Sequence, residues 1–157
     1  MFDIRRLFAV RGAERAQSPA VRDALRALRA ERYEEALDRL DGILAASPVP
    51  GERAFAHNKR GVALIALGRR DEALAAFSAA LATVDGYPAA LVNIGNLRLE
   101  EGALDDAIEL YRAALRSDED YAVAHLNLGT ALKRAGHTAE GVRHLRTAQR
   151  LEGRRRS

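Results

Sequence analysis

Six of the twelve glycines in this 157-residue chain fall on two phases of one period. Gly61, Gly95 and Gly129 are 34 residues apart, and so are Gly68, Gly102 and Gly136. Other columns keep the same step. Five residues after the second glycine stand Ala73, Ala107 and Gly141; four further on, Phe77, Tyr111 and Leu145; three beyond those, Ala80, Ala114 and Ala148. A fixed period of this length is the mark of stacked supersecondary units, none of which can bury its apolar face alone. It excludes a fold built around one irregular core.

Each unit reads as two amphipathic helices joined by a tight turn. Over residues 54–87 the pattern predicts helix A at about 53–67 and helix B at about 71–84. Gly68 sits just past the last apolar residue of helix A, where a left-handed cap suits glycine. Asp71 and Glu72 open helix B, where acids meet the positive helix end, and Asp105 and Asp106 repeat this one unit later. Gly61, Gly95 and Gly129 lie inside helix A, where glycine costs about 1 kcal/mol relative to alanine. Close approach of helix A to helix B accounts for that recurring cost, with Ala73, Ala80, Ala107 and Ala114 as small partners. Ser18 and Pro19 form an N-cap with proline at the first helical position.

The pattern resembles the tetratricopeptide repeat family. Its 34-residue unit carries small residues in both helices, a turn glycine, an aromatic in helix B and often a closing proline. Windows 54–87, 88–121 and 122–155 fit. A degraded copy at 17–50 has Ala24 and Glu31 in place of the two glycines, keeps Ala36, Leu40, Ile43 and Pro48, and is followed by an insertion at 51–53. The resemblance implies an all-α, right-handed α-solenoid of about four helix-turn-helix repeats. Residues 1–16, with Phe2, Ile4, Leu7, Phe8 and Val10, are expected to form a short helix covering the first repeat or a docking motif. Many arrays of this family end in an extra polar helix. Here the last helix B is itself polar (Arg143, Arg146, Gln149, Arg150) and is expected to seal the array. The alternative is that Val142, Leu145 and Leu151 dock on another copy, giving a self-associating scaffold.

Composition narrows the chemistry. No cysteine is present, which removes disulfides, thiolate ligands and a thiol nucleophile. Of the 25 basic residues 23 are Arg, and with the abundance of Ala this points to a high-GC bacterial genome. The stretch 73–84 is the longest uncharged run in the middle of the chain, far below the ~20 apolar residues of a membrane span. Neither a span nor a secretory leader is read, so a cytoplasmic location is expected. The charge of +3 is uneven: residues 71–120 carry −8 and residues 121–157 carry +6. The acidic middle argues against a continuous nucleic-acid face, as does the scarcity of aromatic residues for stacking. The basic tail Arg154–Arg156 reads as solvated.

No active site is read. His57 and His125 share one repeat phase and are expected to pack as rings; His137 and His144 complete the set. None has metal-ligand spacing. The acidic pairs sit at helix ends, and no phosphate loop, nucleophile elbow or dinucleotide fingerprint occurs. A non-enzymatic chain with no metal and no cofactor is expected.

What remains is recognition. The resemblance implies that helix A lines the inner face, with ligand-facing side chains two, five, six, nine, twelve and thirteen residues into each window. Carried over, these positions are Phe55, Asn58, Lys59, Val62 and Ile65; Ala89, Val92, Asn93, Asn96, Leu99 and Glu100; and Val123, Leu126, Asn127, Thr130, Lys133 and Arg134. A planar amide both donates and accepts, so a row of Asn can pair with the backbone of an extended peptide. The two-carboxylate clamp known in this family is not expected, because of Asn58, Val62, Asn93, Val123 and Asn127 only Asn93 fits its pattern. A protein partner, bound as an extended segment, is the expected ligand.

Overall fold

The computed structural model describes residues 18–156. They form eight helices: α1 (Pro19–Arg29), α2 (Tyr33–Ala46), α3 (Pro50–Ala66), α4 (Arg70–Thr83), α5 (Pro88–Glu100), α6 (Leu104–Ser117), α7 (Ala122–Arg134) and α8 (Thr138–Arg156). No strand occurs among the described residues. The reading of residues 1–16 lies outside them. The helices fall into two compact units, α1–α4 and α5–α8.

Each unit is two helical hairpins. In the first, α1 packs on α2, α2 on α3 and α3 on α4. In the second, α5 packs on α6, α6 on α7 and α7 on α8, and α5 also lies against α7. The hairpin turns share one geometry. Gly68, Gly102 and Gly136 have φ of 74°, 81° and 87°. At the first, Gly68 N–H donates to Ile65 O and Arg69 N–H to Leu64 O, the paired bonds of a Schellman cap. The first hairpin makes the same bonds, Glu31 to Leu28 and Arg32 to Ala27, although Glu31 then sits at φ 58°. A side chain costs about 1–2 kcal/mol there, so the turn is held by its bonds and packing rather than by its residue.

Helix starts follow local chemistry. Pro19, Pro50 and Pro88 occupy the first positions of α1, α3 and α5, where a missing N–H costs nothing. The Ser18 hydroxyl accepts from Val21 N–H at 3.4 Å. Residues 51–53, read from sequence as an insertion between repeats, are the first turn of α3. That helix has 17 residues where α5 and α7 have 13. The added turn is tied down, since Glu52 accepts from the hydroxyls of Ser18 and Ser47 and Arg53 donates to Leu44 O. The bonds from Ser18 and Ser47 hold the Glu52 carboxyl below its ordinary pKa.

Helix-to-helix contact explains the glycine columns. A Cβ on Gly61 would overlap the buried ring of Phe77, and one on Gly95 would lie 2.6 Å from Tyr111 Cε1. In the last hairpin the backbones themselves meet. A Cβ on Gly129 would stand 2.8 Å from Gly141 O, and one on Gly141 would stand 2.7 Å from Gly129 O. Phe77 and Tyr111 fill the space that Gly61 and Gly95 leave, Leu145 lies against Gly129, and the alanine columns Ala73, Ala80, Ala107, Ala114 and Ala148 are buried beside them. At the chain's end, Leu151 is buried by the chain itself, while Val142 and Leu145 are half-buried.

Candidate peptide-binding wall

In the second unit α5 and α7 each present one stripe. Asn93, Asn96 and Glu100 stand three and four residues apart on α5, and so share a helix face. Asn127, Thr130 and Arg134 repeat that spacing on α7, 34 residues later. The contact of α5 with α7 brings the stripes side by side. Asn93 and Asn96 are buried, Asn127 is half-buried, and Glu100, Thr130, Lys133 and Arg134 are exposed.

Part of the amide row is engaged inside the protein. The Asn127 amide donates to Asn96 Oδ1 at 2.9 Å, and the Tyr111 hydroxyl donates to the same oxygen at 2.7 Å. Both lone pairs of Asn96 are thus taken, one from α7 and one from α6. Burial pushes the Tyr111 phenol far above its ordinary pKa, so it stays a neutral donor, with Arg134 and Glu100 acting on it in opposite senses. Asn127 keeps a carbonyl oxygen that meets no donor among the described residues. The Thr130 hydroxyl bonds back to Leu126 O at 2.9 Å, so its oxygen keeps a free lone pair facing out.

Sequence reasoning placed Tyr111 among packing residues and missed its hydroxyl. The signal was in the columns. One repeat earlier the matching pair is Phe77 and Val62, both apolar; here it is Tyr111 and Asn96, both polar. The two positions change character together because they touch.

In the first unit the expected wall residues lie on α3. Val62 has no exposed surface and Asn58 is buried, so both support the wall from within. Phe55 is half-buried, and Lys59 Nζ lies 5.6 Å from its ring centroid, one helical turn on. Lys59 is only 4% exposed. Burial, with the like charge of Arg29, lowers its pKa to about 8.

The histidines form no metal set, and no group of three metal-competent side chains occurs among the described residues. His125 on α7 and His144 on α8 meet instead, Nδ1 to Nδ1 at 2.8 Å, while His125 Nε2 meets Glu119 O at 2.9 Å. The carbonyl can only accept, which fixes the proton on His125 Nε2. In the neutral ring His125 Nδ1 then accepts from His144 Nδ1, and in the imidazolium it donates to it. Desolvation, with His125 nearby, lowers the pKa of His144. His57 is lowered by burial and by Arg53 and Arg60. The acidic pairs at helix ends meet neighbouring arginines, as in Glu72 with Arg69 at 2.7 Å and Glu101 with Arg98 at 2.8 Å. No helix among the described residues is long and apolar enough to cross a membrane.

Known proteins share this architecture. A family model described as "Tetratricopeptide repeat" matches residues 21–88, and one described as "TPR repeat" matches residues 95–136. Among solved structures, the crystal structure of MamA is similar with a TM-score of 0.66 at 19% identity, covering 97% of this chain and 88% of that one. The second TPR of Spaghetti (RPAP3), bound to the HSP90 peptide SRMEEVD, gives 0.57 at 20% identity, covering 62% and 91%. YrrB, described as a TPR protein with an unusual peptide-binding site, gives 0.59 at 22% identity, covering 81% and 64%. Identities this low speak for the fold alone. None of the curated proteins matches the sequence.

Proposed function

The chain belongs to the tetratricopeptide repeat family, and from that premise we propose that it is a non-enzymatic adaptor gripping an extended segment of a partner protein along its helix A wall. Its repeats are then windows 17–50, 54–87, 88–121 and 122–155. The observation that carries the reading is the α7 row. Asn127 keeps an unused carbonyl, and Thr130, Lys133 and Arg134 beside it are open to a ligand. Packed helices stand about 8–10 Å apart, and an extended chain advances about 3.3 Å per residue. One contact per repeat therefore meets about every third residue of the ligand. Asn127 would accept a ligand N–H, Asn93 would contribute once the wall is occupied, and Lys133 and Arg134 would select acidic side chains. Two similar proteins are described with peptide ligands or a peptide-binding site, which supports the class of ligand.

The test is selection of a random-sequence peptide library on the immobilised chain, followed by titration of an enriched peptide. Changing Asn93 and Asn127 together to Ala should weaken that peptide at least tenfold. Removing the Asn127 donor leaves Asn96 Oδ1 one bond short, a loss of about 1–2 kcal/mol, so binding is compared well below the melting temperature of both proteins. Equal binding by the double variant would overturn the assignment.

A further inference from the structure

We infer that the outer face of α8 is a second docking surface, which takes an extended acidic segment of a partner protein. The helix runs 19 residues where α2, α4 and α6 run 14. Its buried side carries Gly141, Ala148 and Leu151. Arg143, Arg146, Arg150 and Arg154 are all exposed. Steps of three, four and four residues confine them to an arc of about 80° on the opposite side. At 1.5 Å per residue the stripe is about 16 Å long.

Three of its four arginines lack local neutralisation. Arg26, Arg39, Arg69, Arg98 and Arg112 each meet a carboxylate on a neighbouring turn. Arg143, Arg146 and Arg150 have no acid within ion-pair reach among the described residues. The two acids of α8 are engaged or turned away. Glu140 accepts from Arg112 at 3.2 Å, and Glu152 is half a helical turn from the stripe. Like charges three and four residues apart repel, and an anionic partner removes that cost.

The spacing selects the partner. Alternate residues of an extended strand share a face and stand about 6.6 Å apart, while residues four apart on a helix rise about 6 Å. Carboxylates at every second position of a strand therefore meet successive guanidinium groups, each a planar fork matched to a carboxylate. A strand is thin enough to lie on α8 alone. A nucleic-acid duplex, with grooves about 12 and 6 Å across, would overhang α6. The Arg112–Glu140 bond places that helix beside the first turn of α8, and the exposed Asp105, Asp106 and Glu109 would repel phosphate. A flat anionic membrane would meet the same acids.

The experiment is fluorescence anisotropy on the full chain with a labelled decapeptide alternating Glu and Ser. A Gln–Ser peptide serves as control, and duplex DNA and phosphatidylserine vesicles as competing ligands. The Glu peptide should bind and weaken as salt rises from about 50 to about 200 mM. R143Q/R146Q/R150Q should lose at least tenfold while keeping the parental melting temperature, and N127A should bind as the parent does, which separates this surface from the α7 wall. Should the triple variant fail to fold, Arg146→Glu alone should still lose several-fold. Absence of binding, equal binding by the Gln peptide or by the arginine variants, or tighter arginine-dependent binding of DNA or vesicles would overturn the proposal.

Discussion

Asn127 on α7 donates its side-chain amide to Asn96 Oδ1 on α5, 2.9 Å away, and the Tyr111 hydroxyl reaches the same oxygen from α6. One buried acceptor thus ties three helices of the second unit. Removing one donor leaves a lone pair unmet, whereas removing donor and acceptor together does not. Tyr111→Phe should cost about 1–2 kcal/mol, and Asn96→Val alone a similar amount. The double variant reproduces the Phe77 and Val62 pair of the first unit and should recover part of the loss, the half-buried Asn127 amide being left to find water as its acceptor. Urea denaturation of the three variants decides it; a strictly additive double variant would mean that the two positions do not interact.

The glycines predict opposite signs for one chemical change. Gly42 lies inside α2 with nothing within 4 Å of an added Cβ, so Gly42→Ala should stabilise by about 0.5–1 kcal/mol. Gly61 faces the buried Phe77 ring, so Gly61→Ala should destabilise by about 1–3 kcal/mol. Thermal melts of the two proteins, compared with the parent, read the signs directly.

Glu31 holds a left-handed backbone that its three counterparts leave to glycine. Glu31→Gly should stabilise the first hairpin by about 1 kcal/mol, because the penalty on a side chain at positive φ disappears. Hydrogen exchange of the α1 and α2 amides should slow accordingly. Unchanged or faster exchange would show that Glu31 contributes contacts worth its strain.

Lys59 titrates at about 8 in the folded chain and near 10.5 when unfolded. Between those values the unfolded chain holds more protons, so stability rises with pH from about 8 to 10.5 and is flat in this respect below. Lys59→Met should be more stable at neutral pH by about 1–3 kcal/mol and should lose that alkaline rise. Guanidinium denaturation at pH 7.5 and pH 10 compares the two proteins.

The repeat, its hairpins and its turns were legible in the sequence because each depends on neighbours within about one repeat length. Gly68, Gly102 and Gly136 mark left-handed caps that local sterics demand, and Gly61 and Gly95 mark the approach of helix A to helix B. Residues 51–53 were harder to read. As an insertion they broke the period, yet Pro50 starts a helix and Glu52 finds two hydroxyls to accept from, so they lengthen α3. Glu31 likewise broke the glycine column, but the cap bonds and the packing of the hairpin impose the turn on it.

The wall was legible only as a set of positions. Its division into buried and open members depended on which side chains meet across helices. Asn96 is spent on Tyr111 and Asn127, and Val62 is closed off completely. Periodicity assigns a residue to a face. Whether its polar atoms are used within the protein or left for a partner depends on distances between helices, set by packing of residues a repeat or more apart, and that tertiary structure alone decided.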